Sequence, residues 1–143
     1  MVRHLLFALF TVMLGISAAS AQNDTLTQED LKPGVKKSKF NYYVTESGQL
    51  LSKGDTLKLG SIKSDSYNYV FAYVTSSSGG IMVEDADKKA AGTVVVIQSM
   101  NRAANKNKKS FHIMLTLVDP ATRSMYIAQY EKALEERELV EVE

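Results

Sequence analysis

From Phe40 onward, hydrophobic and polar residues alternate in short runs that are separated by turn residues. The clearest run covers residues 67–74, in which an aromatic side chain occupies every second position as far as Tyr73. A period of two is typical of a β-strand with two different faces. The runs therefore predict short strands, and intervening turns such as Glu46-Ser47-Gly48 predict antiparallel connections between them.

The longest predicted hairpin joins residues 93–100 to residues 111–118 through a polar tip. Its first arm carries the β-branched run Val94-Val95-Val96-Ile97, which favours a strand over a helix. Residues 130–138 have helical spacing, and residues 139–143 resemble a final edge strand. The pattern predicts a mainly β fold, a small antiparallel β barrel or sandwich of five to seven strands, with one short helix near the C-terminus.

The first residues have the layout of a secretory signal peptide. A short positive start that carries Arg3 precedes an apolar run over residues 5–16, and small residues follow up to Ala21. The apolar run would span roughly 18 Å as a helix, which is too short for the ~30 Å core of a membrane. We therefore expect cleavage after Ala21, a protein that is periplasmic or extracellular, and no transmembrane segment in the mature chain.

The next segment, residues 22–39, is predicted to be a flexible basic tether. It has few apolar residues, and lysines surround a Pro33-Gly34 breaker. Such a composition buries too little surface to offset the entropy lost on ordering. The predicted organisation is a signal peptide over residues 1–21, the tether over 22–39, and a single β-barrel domain over 40–143.

The composition excludes several kinds of functional site. The chain has no Cys and a net charge of +1, and removal of the signal peptide leaves His112 as the single histidine. Disulfides, thiolate metal sites and multi-histidine zinc sites are thereby excluded, and we predict neither a metal nor another cofactor. A cysteine-free exported protein fits a bacterial envelope better than a eukaryotic secretory route, and a nucleic-acid partner is not expected there.

The order of these segments resembles that of small exported SH3-like β-barrel proteins of Bacteroidetes type. The resemblance covers residues 49–142 and rests on the turn Lys53-Gly54-Asp55, the strand at 67–74, the long hairpin and the segment 126–135. It implies an SH3-like barrel in the envelope but no active site. Barrels of this type hold peptides or wall polymers in aromatic grooves; this chain departs from that pattern in having no Trp.

An aromatic ladder is the most distinctive candidate site. Its side chains project from one face of the predicted strand at intervals of about 7 Å, which suits stacking against sugars or peptide prolines. The alternative is that this face packs inside the barrel as core. The ladder comprises Tyr67, Tyr69, Phe71 and Tyr73.

Charged segments supply two further candidates. The hairpin tip carries a predicted basic surface for anionic envelope components, or simply a solvated turn, formed by Arg102, Lys106, Lys108 and Lys109. A predicted loop after residue 80 carries Glu84, Asp85 and Asp87. This loop lacks the glycine and the ligand spacing of a calcium-binding EF-hand, so a solvated acidic loop is favoured.

The function that fits these features is a non-catalytic binding or interaction module of the cell envelope, whose partner is an envelope protein or glycan. No nucleophile-elbow motif accompanies His112, so it is interpreted as structural. Two alternatives remain open. One is a small envelope hydrolase that uses carboxylates, and the other is a structural or inhibitor-like accessory protein that pairs through an edge strand.

Overall fold

The structure, a computed structural model, describes residues 24–63, 68–75, 78–107 and 109–142. The predicted signal peptide lies outside these residues. Within the described part of the chain, no helix has both the length and the apolar composition needed to cross a membrane.

The fold is mainly β, as predicted, and one short α-helix, α1 (Tyr130–Glu135), lies near the C-terminus. Two short 3₁₀ turns cover Glu29–Leu31 and Lys88–Ala90. The strands are β1 (Thr25–Leu26), β2 (Tyr42–Val44), β3 (Leu50–Ser52), β4 (Thr56–Leu59), β5 (Val70–Thr75), β6 (Ile81–Asp85), β7 (Val94–Ala104), β8 (Phe111–Val118), β9 (Met125–Gln129) and β10 (Leu139–Glu141).

The strands form two sheets. The smaller has the order β1-β2-β3, and the larger has the order β10-β4-β7-β8-β9-β5-β6. All pairings are antiparallel except that of β1 with β2. Among the described residues β10 and β6 are therefore the two edges of an open sheet. The small antiparallel β fold with one C-terminal helix is as predicted, but its strands exceed the five to seven predicted and do not close into a barrel. Alternation along the sequence marks strands, but it does not determine which strands pair.

One face of the larger sheet and the smaller sheet bury a common core. The central strands β7, β8 and β9 contribute fully or almost fully buried residues at alternate positions. Tyr43 and Leu26 enter the same cluster from the smaller sheet, and the Tyr43 ring meets Tyr130 of α1 edge-on, with 6.1 Å between centroids. The core from the larger sheet comprises Leu57, Leu59, Val70, Val95, Ile97, Ile113, Leu115, Leu117, Ala128 and Leu139.

The N-terminal segment packs against the domain over residues 24–32, which differs from the flexible tether predicted for residues 22–39. Leu26 is fully buried, and the Arg102 guanidinium donates hydrogen bonds to the carbonyl oxygens of Asp30 and Lys32, each at 3.1 Å. The guanidinium carbon also lies 3.4 Å from the centroid of the Phe111 ring. A single well-placed leucine and these bonds to the backbone order a segment whose average composition is polar.

A buried carboxylate joins the C-terminal strand to the loop that precedes β5. Glu138 has no exposed surface, and its side chain accepts hydrogen bonds from the backbone N–H groups of Lys63, Tyr69 and Val70, at 3.2, 2.7 and 3.1 Å. Nearby, Gly60 approaches the backbone of Arg137 so closely that a Cβ at this position would lie 2.0 Å from its carbonyl oxygen. These contacts connect the two ends of the larger sheet, since β10 is one edge strand and β5 is the neighbour of the other edge strand, β6.

Candidate functional site

The candidate site is the face of the larger sheet opposite the core, here called the outer face. Cross-strand partners share a face, so the register places Phe71, Ile127 and Thr116 in one row across β5, β9 and β8. Tyr73, Met125 and Val118 form the next row in the same way. The pairing of β6 with β5 adds Asp85, Val83 and Ile81 at the edge. The outer face is formed by Phe71, Tyr73, Ile81, Val83, Asp85, Thr116, Val118, Met125 and Ile127.

This face is largely apolar, yet it stays accessible. Its six members on β5, β8 and β9 are half-buried, whereas Ile81 and Val83 at the edge are 62% and 53% exposed. Among the described residues, none of the nine belongs to the core cluster or packs against it as a half-buried neighbour. An accessible and mostly apolar surface of this kind is typical of an interaction site on a small protein.

The aromatic ladder is divided by this arrangement. Phe71 and Tyr73 lie on the outer face, whereas Tyr69 is half-buried against the core cluster. The core is on the other side of the strand, where Val70 is fully buried. Tyr67 lies outside the described residues. The sequence left open whether the ladder is core or surface, and the structure places its last two members, Phe71 and Tyr73, on the accessible side.

A polar notch lies at one end of the outer face, where β9 ends and α1 begins. It encloses about 380 Å³ between the N-terminal segment, the β2–β3 turn, the β7–β8 hairpin and α1. Most of its lining residues have polar side chains, although apolar atoms make up most of the exposed lining. These residues are Gln28, Leu31, Lys32, Pro33, Glu46, Asn105, Ser110, Phe111, His112, Gln129, Glu131 and Lys132.

The titratable groups of the notch already have protein partners. The Glu131 carboxylate accepts hydrogen bonds from the Tyr43 hydroxyl and from the Gln28 side-chain amide, and burial raises its pKa. The Nδ1 atom of His112 lies 2.7 Å from the Oδ1 atom of Asn105, and burial lowers its pKa. The imidazole is therefore neutral at neutral pH and is oriented by an amide.

Asp119 does not reach this histidine. It follows the opposite end of β8, where its carboxylate accepts hydrogen bonds from the backbone N–H of Ala121 at 2.8 Å and from the Thr122 hydroxyl at 2.7 Å. These bonds keep the pKa of Asp119 below its usual range, against the opposing effect of burial. Asp119 therefore stabilises the turn after β8, and the histidine lacks the carboxylate of a Ser-His-Asp arrangement at this position.

The predicted basic surface is not a single cluster. Arg102 is half-buried and engaged with Phe111 and the N-terminal segment, whereas Lys106 and Lys109 are exposed at the hairpin tip. Lys108 lies outside the described residues. Arg102 thus has a structural role that its position in a charged stretch did not indicate.

The predicted acidic loop is wrong for Glu84 and Asp85, which belong to strand β6. The apolar run Ile81-Met82-Val83 was the signal for this strand, and the neighbouring acids masked it. Asp87 follows the strand, and its side chain accepts a hydrogen bond from the Lys89 backbone at 2.9 Å. Across the described ranges, no three His, Asp or Glu side chains come together in a group suited to a metal ion.

Comparison with known proteins gave no match. The sequence matches no protein-family model, and neither the curated proteins nor the solved structures returned a similar chain. The resemblance to exported SH3-like barrels therefore stays a prediction from the sequence.

Proposed function

We propose that this protein is an exported, non-catalytic binding module of the bacterial cell envelope, and that it binds a partner protein through its outer face. The observation that carries the proposal is the accessible apolar surface across β6, β5, β9 and β8. The envelope location rests on the signal-peptide layout of residues 1–21.

The chemistry of the outer face favours a protein over a glycan. Around Phe71 and Tyr73 the face presents mainly Met125, Ile127 and Val118, side chains that offer apolar area but no strong hydrogen bonds. Its one charged member, Asp85, lies at the edge. Saccharides need such bonds in addition to aromatic stacking. Aromatic residues and methionine are enriched at the centres of protein interfaces, which matches this composition.

One observation supports a second candidate, a carboxylate-dependent hydrolase. Glu131, whose pKa is raised by burial, lines the polar notch together with Glu46. A carboxyl group of raised pKa near a second carboxylate is the arrangement used in glycoside hydrolysis. The existing bonds from Tyr43 and Gln28 to Glu131 support a structural role for this carboxylate instead.

The test is capture from envelope extract with immobilised protein and a matched pair of variants. Ile127→Lys places a charge at the centre of the outer face, whereas Leu50→Lys changes a residue that is 58% exposed on the smaller sheet. We expect a cross-linked partner with the wild type and with Leu50→Lys but not with Ile127→Lys, provided that all three show the same circular dichroism and melting temperature.

Two results would count against the proposal. Equal capture by both variants would remove the outer face from the interaction, and retention on purified peptidoglycan in place of a protein would favour the glycan. The hydrolase is assayed separately through the release of reducing sugar from peptidoglycan. Release by the wild type that is lost in Glu131→Gln would replace the proposal with the second candidate.

A further inference from the structure

Strand β6 is an edge strand with an unusually open surface. It pairs with β5 from Phe71↔Asp85 to Thr75↔Ile81 and ends the order of the larger sheet. All five of its residues are exposed, including Met82 at 47%. A strand of this length presents about 17 Å of edge whose backbone groups alternate toward the open side.

Within the described residues, the first half of this edge has none of the usual protection against pairing. Natural sheet edges are commonly blocked by proline, lysine, a bulge or a covering segment. Ile81-Met82-Val83 contains no proline or charge, and the register from Ile81 to Asp85 runs without a bulge. Because exposed apolar edge strands promote pairing with other chains, this edge is suited to accept an added strand.

The second half of β6 carries two acidic residues, and its partner strand β5 has no basic residue opposite them. Glu84 lies opposite Ala72 and Asp85 lies opposite Phe71, so β5 offers no cation to either acid. Successive side chains point to opposite faces, and each face of the edge therefore carries one carboxylate. A strand added on the open side would meet two acids at one end and three apolar residues at the other.

We propose that β6 docks an extended segment of the partner protein as an added antiparallel strand, with two consecutive basic residues followed by three apolar residues. This order results from antiparallel pairing, in which the incoming strand meets Asp85 and Glu84 before Val83 and the residues that precede it. The inference rests on the proposed function, because it specifies how the partner of the outer face binds.

A second copy of this chain is a poorer complement. In an antiparallel pair centred on Val83, Glu84 would face Met82 and Asp85 would face Ile81, which leaves every acid without a base. A parallel pair in register would place the acids against each other, which destabilises a sheet. Charge complementarity therefore favours the basic segment over self-association.

Synthetic peptides provide the probe. The matched peptide is Gly-Ser-Lys-Lys-Val-Val-Ile-Gly-Ser, and the control replaces both lysines by glutamates. Binding to the full chain is followed by fluorescence anisotropy, and the contact surface is mapped by amide chemical shifts. We expect the lysine peptide to bind about tenfold more tightly, since two favourable cross-strand charge pairs replace two repulsive ones. The shifts should concentrate in β6, and added salt should weaken binding.

A charge swap completes the test. The double variant Glu84→Lys with Asp85→Lys changes exposed side chains only and should reverse the preference, so that it binds the glutamate peptide more tightly. Equal binding of both peptides, no binding of either, or shifts outside β6 would overturn the inference. So would a concentration-dependent dimer that excludes the peptide, because a second copy would then occupy the edge.

The outcomes also separate this inference from the proposed function. Capture that depends on Ile127 but proceeds unchanged with the β6 charge swap would leave the outer face as the binding surface and remove β6 from it. Loss of partner capture in both Ile127→Lys and the β6 charge swap supports both the proposed function and the docking at β6. A wild type that captures nothing contradicts the proposed function itself.

Discussion

Replacement of Glu138 by alanine should be among the most damaging single substitutions in the chain. The side chain is fully buried, and its carboxylate accepts backbone N–H groups of Lys63, Tyr69 and Val70. These donors precede or begin β5, whereas Glu138 immediately precedes β10. The carboxylate thus connects the two ends of the larger sheet near its open edges.

The stability lost in Glu138→Ala comes from the backbone N–H groups that lose their acceptor. A buried donor without a partner costs about 1–3 kcal/mol, and the bonds at 2.7 and 3.1 Å to Tyr69 and Val70 are the most enclosed. The free energy of unfolding should therefore fall by about 3 kcal/mol in Glu138→Ala. With roughly 4 °C for each kcal/mol in a domain of this size, the melting temperature should fall by about 12 °C.

The matched variants separate charge from shape. Glu138→Gln keeps the size and one carbonyl oxygen but loses the charge-assisted bonds, so we expect a loss of about 1–2 kcal/mol. Glu135→Gln, which changes an exposed carboxylate paired with Lys132, should leave the urea midpoint unchanged. A loss below about 1 kcal/mol in Glu138→Ala, measured by urea unfolding with an unchanged m-value, would refute the reasoning.

Three further predictions concern stability. Gly60→Ala should lower the urea midpoint strongly, because the added Cβ would meet the Arg137 carbonyl oxygen at 2.0 Å; an unchanged midpoint would contradict that close approach. Leu26→Ala should lower the free energy of unfolding by about 2–4 kcal/mol and speed proteolysis near residue 30, since a fully buried side chain is truncated. Equal proteolysis rates in the variant and the wild type would instead support the flexible tether predicted from the sequence. Burial lowers the pKa of His112 below 6.5, so its contribution to stability is complete above about pH 6.5 and declines as the pH falls toward the folded-state pKa. Urea unfolding at about pH 7.5 and 5.5 measures this loss of stability, which should be smaller in His112→Gln than in the wild type. An identical loss in the two proteins would show that other groups cause it.

The sequence predicted the strands better than their assembly. Alternation identified β7 and β8 because each has one strongly buried face, as with Val95 and Ile97 in β7. It identified β5 through aromatic side chains at alternate positions. It did not identify which edges remain open, because pairing depends on contacts between distant segments. Neither the open edges of the larger sheet nor the place of Glu84 and Asp85 within a strand was predicted, since both depend on how β6 pairs.

The sequence predicted only part of the candidate site. The spacing of Phe71 and Tyr73 showed that these rings share a face, but the choice between core and surface needed the burial of Val70 on the other side. Ile127 and Met125 gave no signal as binding residues, because their position beside the ladder arises from the register of β9 with β5. Likewise, the charge of Arg102 suggested an anionic ligand, whereas its geometry assigns it to Phe111 and the N-terminal segment.

The docking of the N-terminal segment has a consequence for the order of folding. The bonds from Arg102 to Asp30 and Lys32 join residues 72 and 70 positions apart, and the Gln28 to Glu131 bond spans 103. Contacts at such separations form slowly, because a long loop must close before they are made. The segment is synthesised before β7 and β8 but would be among the last parts of the domain to reach its final position. Refolding should therefore show a late phase in which protection of the β1 amides trails that of β7 and β8.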